Sequence, residues 1–197
     1  MYKYAHNQLG NSMIIPSTSE KFDKSWLDLI AHDPVHPTMD HNLRTQGNRR
    51  VLMYREEDRE QCMICTKVGK DLVRSMRDIV ADSVEGGPTA MFYTIFRLPE
   101  ALAGVGQRAI REAVAHFSDA GVSEFYTLSP IPSLRKHFDA PPTEEQVREF
   151  IALRKDPVSR FHLGNGAMLH TVNFDADTSD IRQSESWGIM VNYKYTV

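Results

Sequence analysis

The run TAMFYTIF at residues 89–96 is almost unbroken in apolar and aromatic side chains. A strand of this kind cannot turn one face to water, so it demands a sheet covered on both sides and suits its centre. The segment EGGP, residues 85–88, breaks the chain just before it. After it, Pro99 and the small residues Ala103, Gly104 and Gly106 form a loop. That loop leads into a helix with Ala109, Ile110, Ala113, Val114 and Phe117 on one face. A buried strand followed by an amphipathic helix points to helices packed on a sheet.

The rest of the chain repeats this alternation. Residues 1–21 are polar and show no period, and 22–31 read as a short helix with Trp26, Leu27 and Ile30 together. Pro34, Pro37 and Gly47 make 32–48 a long loop. Strands are expected at 50–55 and 61–68, either side of the charged turn EEDRE. Helical spacing of Leu72, Val73, Met76, Ile79 and Val80 predicts a helix from Lys70 to Asp82. Further strands are expected at 123–129 and 187–195. Thr143 opens a third helix with the capping box T-E-E-Q. The class is therefore α/β or α+β, with one mixed sheet.

Composition removes several function classes. Hydrophobic residues are 41% and charged residues 25% of 197, which disfavours disorder, collagen and coiled coil. A net charge of −3 argues against binding nucleic acid by bulk charge. No apolar run nears the roughly 20 residues of a membrane span. The start, MYKYAHNQLGNS, has no apolar core of a secretory signal, and the end, YKYTV, is no lipidation or peroxisomal signal. A soluble cytoplasmic protein is expected.

Most chemically suggestive groups have an ordinary reading of their own. His32, His36 and His41 hint at a metal, but Pro34 and Pro37 forbid the helix that would align them. Loop histidines are expected, and no metal. Cys62-Met-Ile-Cys65 lacks a second pair for zinc. It falls in a predicted strand, where residues three apart face opposite sides, so buried structural thiols are expected. Gly104-Val-Gly106-Gln-Arg108 opens a helix whose free N–H groups would suit a phosphate, with Arg108 and Arg111 adding charge. Alone, that segment reads as a tight turn. Ser129, His162 and Asp177 supply the types of a hydrolase triad, but no G-x-S-x-G surrounds the serine. Pro130 has no N–H for an oxyanion hole, so Ser129 is better suited to hydrogen-bonding a substrate. His162 lies between turn signals, in a loop before a helix, where an imidazole can exchange a proton near neutral pH. Asp175, Asp177 and Ser179 read as turn caps.

Taken together, Thr-Leu-Ser-Pro-Ile-Pro at 127–132, Phe-His-Leu-Gly-Asn-Gly-Ala at 161–167, Ala-Asp-Thr-Ser at 176–179 and Met-Val-Asn-Tyr-Lys-Tyr at 190–195 resemble the catalytic domain of malonyl-CoA decarboxylase. Val-His-Pro at 35–37 and Met-Phe-Tyr-Thr-Ile at 91–95 fit the same pattern, in the same order. The resemblance runs from about residue 32 to residue 195. It implies a catalytic domain at 32–197 behind an N-terminal extension at 1–31, with the fold of GNAT-type N-acetyltransferases. It also implies conversion of malonyl-CoA to acetyl-CoA and CO₂, a step of fatty acid metabolism, without biotin, metal or other cofactor. By resemblance, Ser129 and His162 are the catalytic pair and Tyr195 stands at the active site. His36, Asn165 and Tyr193 would line the substrate pocket. Gly104, Val105, Gly106, Gln107 and Arg108 would cradle the CoA pyrophosphate.

The sequence also departs from that family. At most about thirty residues stand where the family has a large helical domain, and the stretch between the serine and histidine motifs is short. The loop that reads G-V-E-L-G in the family reads G-V-G at 104–106, which removes an acidic residue. The partner is then malonyl-CoA or a malonyl-acyl carrier protein, with no nucleic acid or membrane partner, and a homo-oligomer stays open. Two other readings stand beside this one: a GNAT-type acyltransferase, and a non-catalytic acyl-CoA-binding module.

Overall fold

The computed structural model describes residues 13–17, 44–81 and 86–196. The expected helix at 22–31, the histidines His32, His36 and His41, and the Val-His-Pro motif lie outside these residues. The described chain forms two compact units: residues through 70 with 86–123, and 71–81 with 124–196.

The first unit is an antiparallel meander with one long helix. Its strands are β1 (Met13–Ser17), β2 (Arg49–Glu56), β3 (Arg59–Gly69) and β4 (Thr89–Arg97). They pair in sequence order. The charged turn is tighter than its sequence suggests. Only Glu57 and Asp58 connect β2 to β3, at φ 54° and 59°. Two left-handed residues match the twist of the flanking strands, which is why the hairpin closes with two residues and both strands lengthen. The apolar run becomes β4, buried from Thr89 through Thr94. The break before it is required by space: a Cβ on Gly87 would lie 2.1 Å from the Gly69 carbonyl oxygen. Cys62 and Cys65 are both fully buried on β3.

Helix α1 (Met76–Val80) belongs to the second unit and is shorter than its periodicity predicts. Asp78 accepts from the main-chain N–H of Ser75 at 3.0 Å, and the Ser75 hydroxyl accepts from Asp78. This capping box starts the helix at Met76. The Val73 carbonyl is taken by the Asn192 side-chain amide at 3.0 Å, so residues before the box serve a different partner. In the first unit, α2 (Val105–Asp119) buries Val105, Ala109, Ile110, Ala113 and Phe117, close to the expected face.

The remaining elements of the second unit gather around β8 (Met190–Tyr195). One side of β8 pairs with β5 (Glu124–Thr127) and then β6 (Ser129–Pro130); β7 (Met168–Asn173) also pairs with it, and all three pairings are antiparallel. The helices are α3 (Glu144–Ala152), α4 (Pro157–Gly164) and α5 (Asp180–Ser186). The T-E-E-Q box forms as read, with Thr143 N–H donating to Gln146 Oε1 at 2.8 Å. The expected last strand starts late: Trp187 and Gly188 are left-handed, at φ 53° and 72°, and close α5 before β8 begins. The turn-capping role of Asp177 and Ser179 is seen. Ser179 caps α5, and its N–H donates to Asp177 Oδ1 at 2.9 Å. Asp177 lies buried 4.0 Å from Arg182 Nε.

Candidate active site

Strand alternation builds most of the site. Side chains two apart on a strand share a face. Thr127 and Ser129 therefore sit together, while Leu128 between them is buried in the core. Tyr193 and Tyr195 likewise share one face of β8. The register brings these pairs close, with Ser129 opposite Val191 and Phe125 opposite Tyr195.

His162 arrives from α4, and here the structure corrects the sequence reading: the histidine lies within a helix, not in a loop before one. Asp156 explains the helix. Its Oδ1 accepts from the N–H groups of Val158 and Ser159 at 2.9 and 3.0 Å, and Pro157 fills the first helical position. An Asp cap followed by Pro is a helix start. The other oxygen, Oδ2, accepts from Ser133 N–H at 3.0 Å. One buried carboxylate thus ties the segment after S-P-I-P to the helix that carries His162.

The result is a buried line of hydrogen bonds. Ser129 Oγ lies 3.1 Å from His162 Nε2, and His162 Nδ1 lies 2.9 Å from the Tyr195 hydroxyl. The Tyr193 ring stacks on the imidazole, centroids 4.7 Å apart and 23° between planes. Ser129 and His162 are each 4% exposed and Tyr195 is 7% exposed. Burial pushes the His162 pKa down to about 3, so its imidazole is neutral at physiological pH. Burial also raises the Tyr195 phenol well above its ordinary range. Tyr193 is raised by burial and by the nearby Asp156 carboxylate; its hydroxyl ends buried near Ser159 without a formed hydrogen bond.

The other expected site residues fall as follows. Asn165 caps the C-terminal end of α4, its main-chain N–H reaching the carbonyls of Phe161 and His162. Its side-chain Nδ2 is buried with no hydrogen-bond partner among the described residues. The Gly104–Arg108 segment lies in the first unit and opens α2, with Gly104 left-handed at φ 71°. Arg108 is already engaged: Nε and Nη2 each lie 2.9 Å from Glu56 Oε2, and Nη1 donates to the Ala103 carbonyl at 3.0 Å. It braces the turn from within. Asp177 pairs with Arg182 and takes no part in a triad with Ser129 and His162. Burial, then the neighbouring Cys65, pushes the Cys62 thiol up to about 12, which fits structural rather than redox cysteines. Among the described residues, no three His, Cys, Asp or Glu side chains gather as a metal site.

Sequence reading missed Thr127 and Asp156. The signal for Asp156 was present in Asp-Pro-Val-Ser at 156–159. Thr127 carried only its two-residue spacing from Ser129.

Residues 146–197 match the malonyl-CoA decarboxylase C-terminal domain. That match holds His162, Asn165, Tyr193 and Tyr195, while Ser129 and Thr127 precede it. No curated protein sequence is significantly similar to the chain. The structure of malonyl-CoA decarboxylase from Agrobacterium vitis superposes with a TM-score of 0.76 at 23% identity, covering 94% of this chain and 60% of that one. The loading GNATL domain of CurA from Lyngbya majuscula gives 0.69 at 17% identity, covering 95% and 98%. The GphF GNAT-like decarboxylase, in complex with isobutyryl-CoA, gives 0.58 at 13% identity, covering 89% and 86%. The chain therefore spans about 60% of the length of the malonyl-CoA decarboxylase it matches. Its fold class is the expected one, a GNAT-like mixed sheet flanked by helices.

Proposed function

We propose that the chain decarboxylates a malonyl thioester, converting malonyl-CoA to acetyl-CoA and CO₂. The observation that carries this reading is the buried line Ser129–His162–Tyr195, with a neutral imidazole between two hydroxyls. The reaction breaks the bond between the α-carbon and the carboxylate. The electron pair moves into the thioester as an enolate and CO₂ leaves. The enolate then collapses and takes one proton at carbon, so each turnover consumes one proton. Such chemistry needs donors aimed at a developing oxyanion and a proton route, in a site closed to water.

The residues meet those needs in kind. Ser129 orients the carboxylate by hydrogen bonding, its hydroxyl turning from Thr127 to the substrate while its oxygen still faces His162. His162 and Tyr195 supply donors, and a neutral imidazole relays a proton by giving at one nitrogen while taking at the other. The unpartnered Asn165 amide is suited to the thioester carbonyl or the carboxylate, and Tyr193 fixes the imidazole plane. The Gly104–Arg108 turn is assigned to the CoA pyrophosphate, Arg108 acting by bracing it. The residues named need no metal or biotin for these steps.

The acyltransferase reading is weaker on one observation. An imidazole whose pKa lies near 3 is a poor base for an amine proton. The readings separate without an acceptor present. A decarboxylase releases CO₂ from malonyl-CoA alone, which is the result expected. Free CoA appearing only with an added amine would mark an acyltransferase. A rise in melting temperature with CoA esters and no turnover would mark a binding module. A malonyl-acyl carrier protein is the second substrate to try.

A further inference from the structure

Proton counting along the buried line leads to a residue beyond the three just discussed. Thr127 Oγ1 accepts the Tyr193 main-chain N–H at 3.3 Å and the Ser129 hydroxyl at 2.8 Å. Its main-chain carbonyl accepts from Asn192 Nδ2 at 2.7 Å. Thr127 is 1% exposed, and a β-branched side chain is stiff at χ1. Its oxygen is therefore fixed in place, held against the strand that supplies Tyr193.

A hydroxyl has one proton to give. Where Ser129 gives it to Thr127, its contact with His162 Nε2 is one in which the serine oxygen accepts. Nε2 then carries the proton. A neutral imidazole has one N–H, so Nδ1 is bare and accepts from the Tyr195 hydroxyl. We propose that Thr127 is a positioning residue: by holding the Ser129 proton it sets His162 in the Nε2–H tautomer, giving the line one direction from Tyr195 through His162 to Ser129.

That direction suits the chemistry proposed above, on which only the kinetic part of the test rests. A donor at Nε2 sits on the Ser129 side, and a proton given there is replaced at Nδ1 by Tyr195. With the opposite tautomer, Nε2 would be an acceptor and would have no proton to give.

The test reads the tautomer directly, by long-range ¹H–¹⁵N correlation on protein labelled at histidine. The His162 signals are identified by their absence in His162→Gln. The wild type is expected to show the Nε2–H pattern. Thr127→Val, which keeps the shape and removes the oxygen, is expected to populate Nδ1–H; Thr127→Ser is expected to restore Nε2–H. With malonyl-CoA, Thr127→Val is expected to lower kcat about tenfold or more with KM nearly unchanged, and Thr127→Ser to recover most of it. An Nδ1–H pattern in the wild type would overturn the proposal. So would a Thr127→Val protein that folds and keeps the wild-type tautomer. The spectra decide this even if malonyl-CoA proves not to be the substrate. Should the valine variant fail to fold, Thr127→Ala, which also lacks the oxygen, takes its place: Nδ1–H there supports the proposal, and the wild-type tautomer there overturns it.

Discussion

At the scale of single residues, burial of His162 does two things. It keeps the imidazole neutral, and it makes the fold sensitive to acid. In the unfolded chain this histidine protonates near pH 6.5, in the fold only near 3. The unfolded state then binds more protons through that window. Stability is complete above about pH 6.5 and falls as pH drops toward 3, by at most about 1.4 kcal/mol per pH unit. His116 and His170 are also lowered by burial, so a difference measurement is needed. Urea unfolding of His162→Gln against wild type at pH 7 and pH 4.5 is expected to show a smaller acid loss in the variant; equal losses would contradict the buried neutral imidazole. His162→Ala is expected to lower turnover roughly a hundredfold or more, the scale of a lost acid–base group, with CoA-ester binding retained. Unchanged turnover would remove His162 from the mechanism. Neither Ser129 nor His162 was distinctive by residue type alone. What the sequence carried was their motifs, and what it hid was spacing through space: nothing local says that residues 33 apart meet within 3.1 Å.

Among the elements, legibility followed capping and period. The α2 face and the α3 capping box were readable because both are written in consecutive residues. Helix α5, strand β7 and the short β6 were not, because their side chains alternate weakly and their partners lie far along the chain. α1 came out shorter than its apolar spacing because a capping box overrode the period. α4 was missed although Asp156 and Pro157 announce it. Its cap has a measurable role. Asp156→Ala leaves the N–H groups of Val158, Ser159 and Ser133 without their acceptor, and is expected to cost about 2 kcal/mol or more in urea unfolding. A loss within error of zero would show that the carboxylate does not hold helix and loop together. In the other unit, Arg108→Ala releases Glu56 and the Ala103 carbonyl and loosens the turn. KM for every CoA ester is expected to rise, whichever acyl group is attached. An unaltered KM would count against the pyrophosphate assignment.

For the whole molecule, two kinds of likeness agree. The GNAT-like fold is carried by structural likeness over nearly the entire chain, while the malonyl-CoA decarboxylase signature is confined to residues 146–197. No helix among the described residues is long and apolar enough to cross a membrane. The fold class was legible from the buried strand and the amphipathic helix that follows it, since that pair requires a covered sheet. The division into two units was not, because residues 71–81 leave their sequence neighbours to join the second. The central claim is that the chain removes CO₂ from a malonyl thioester and returns one proton to carbon. Mass spectrometry of malonyl-CoA incubated with the protein in D₂O, with EDTA and no acceptor, tests it most directly. Acetyl-CoA carrying deuterium on its methyl group is the expected product, absent from a control without protein and nearly absent with His162→Ala. Malonyl-CoA recovered intact, with malonyl-acyl carrier protein equally untouched, would contradict it.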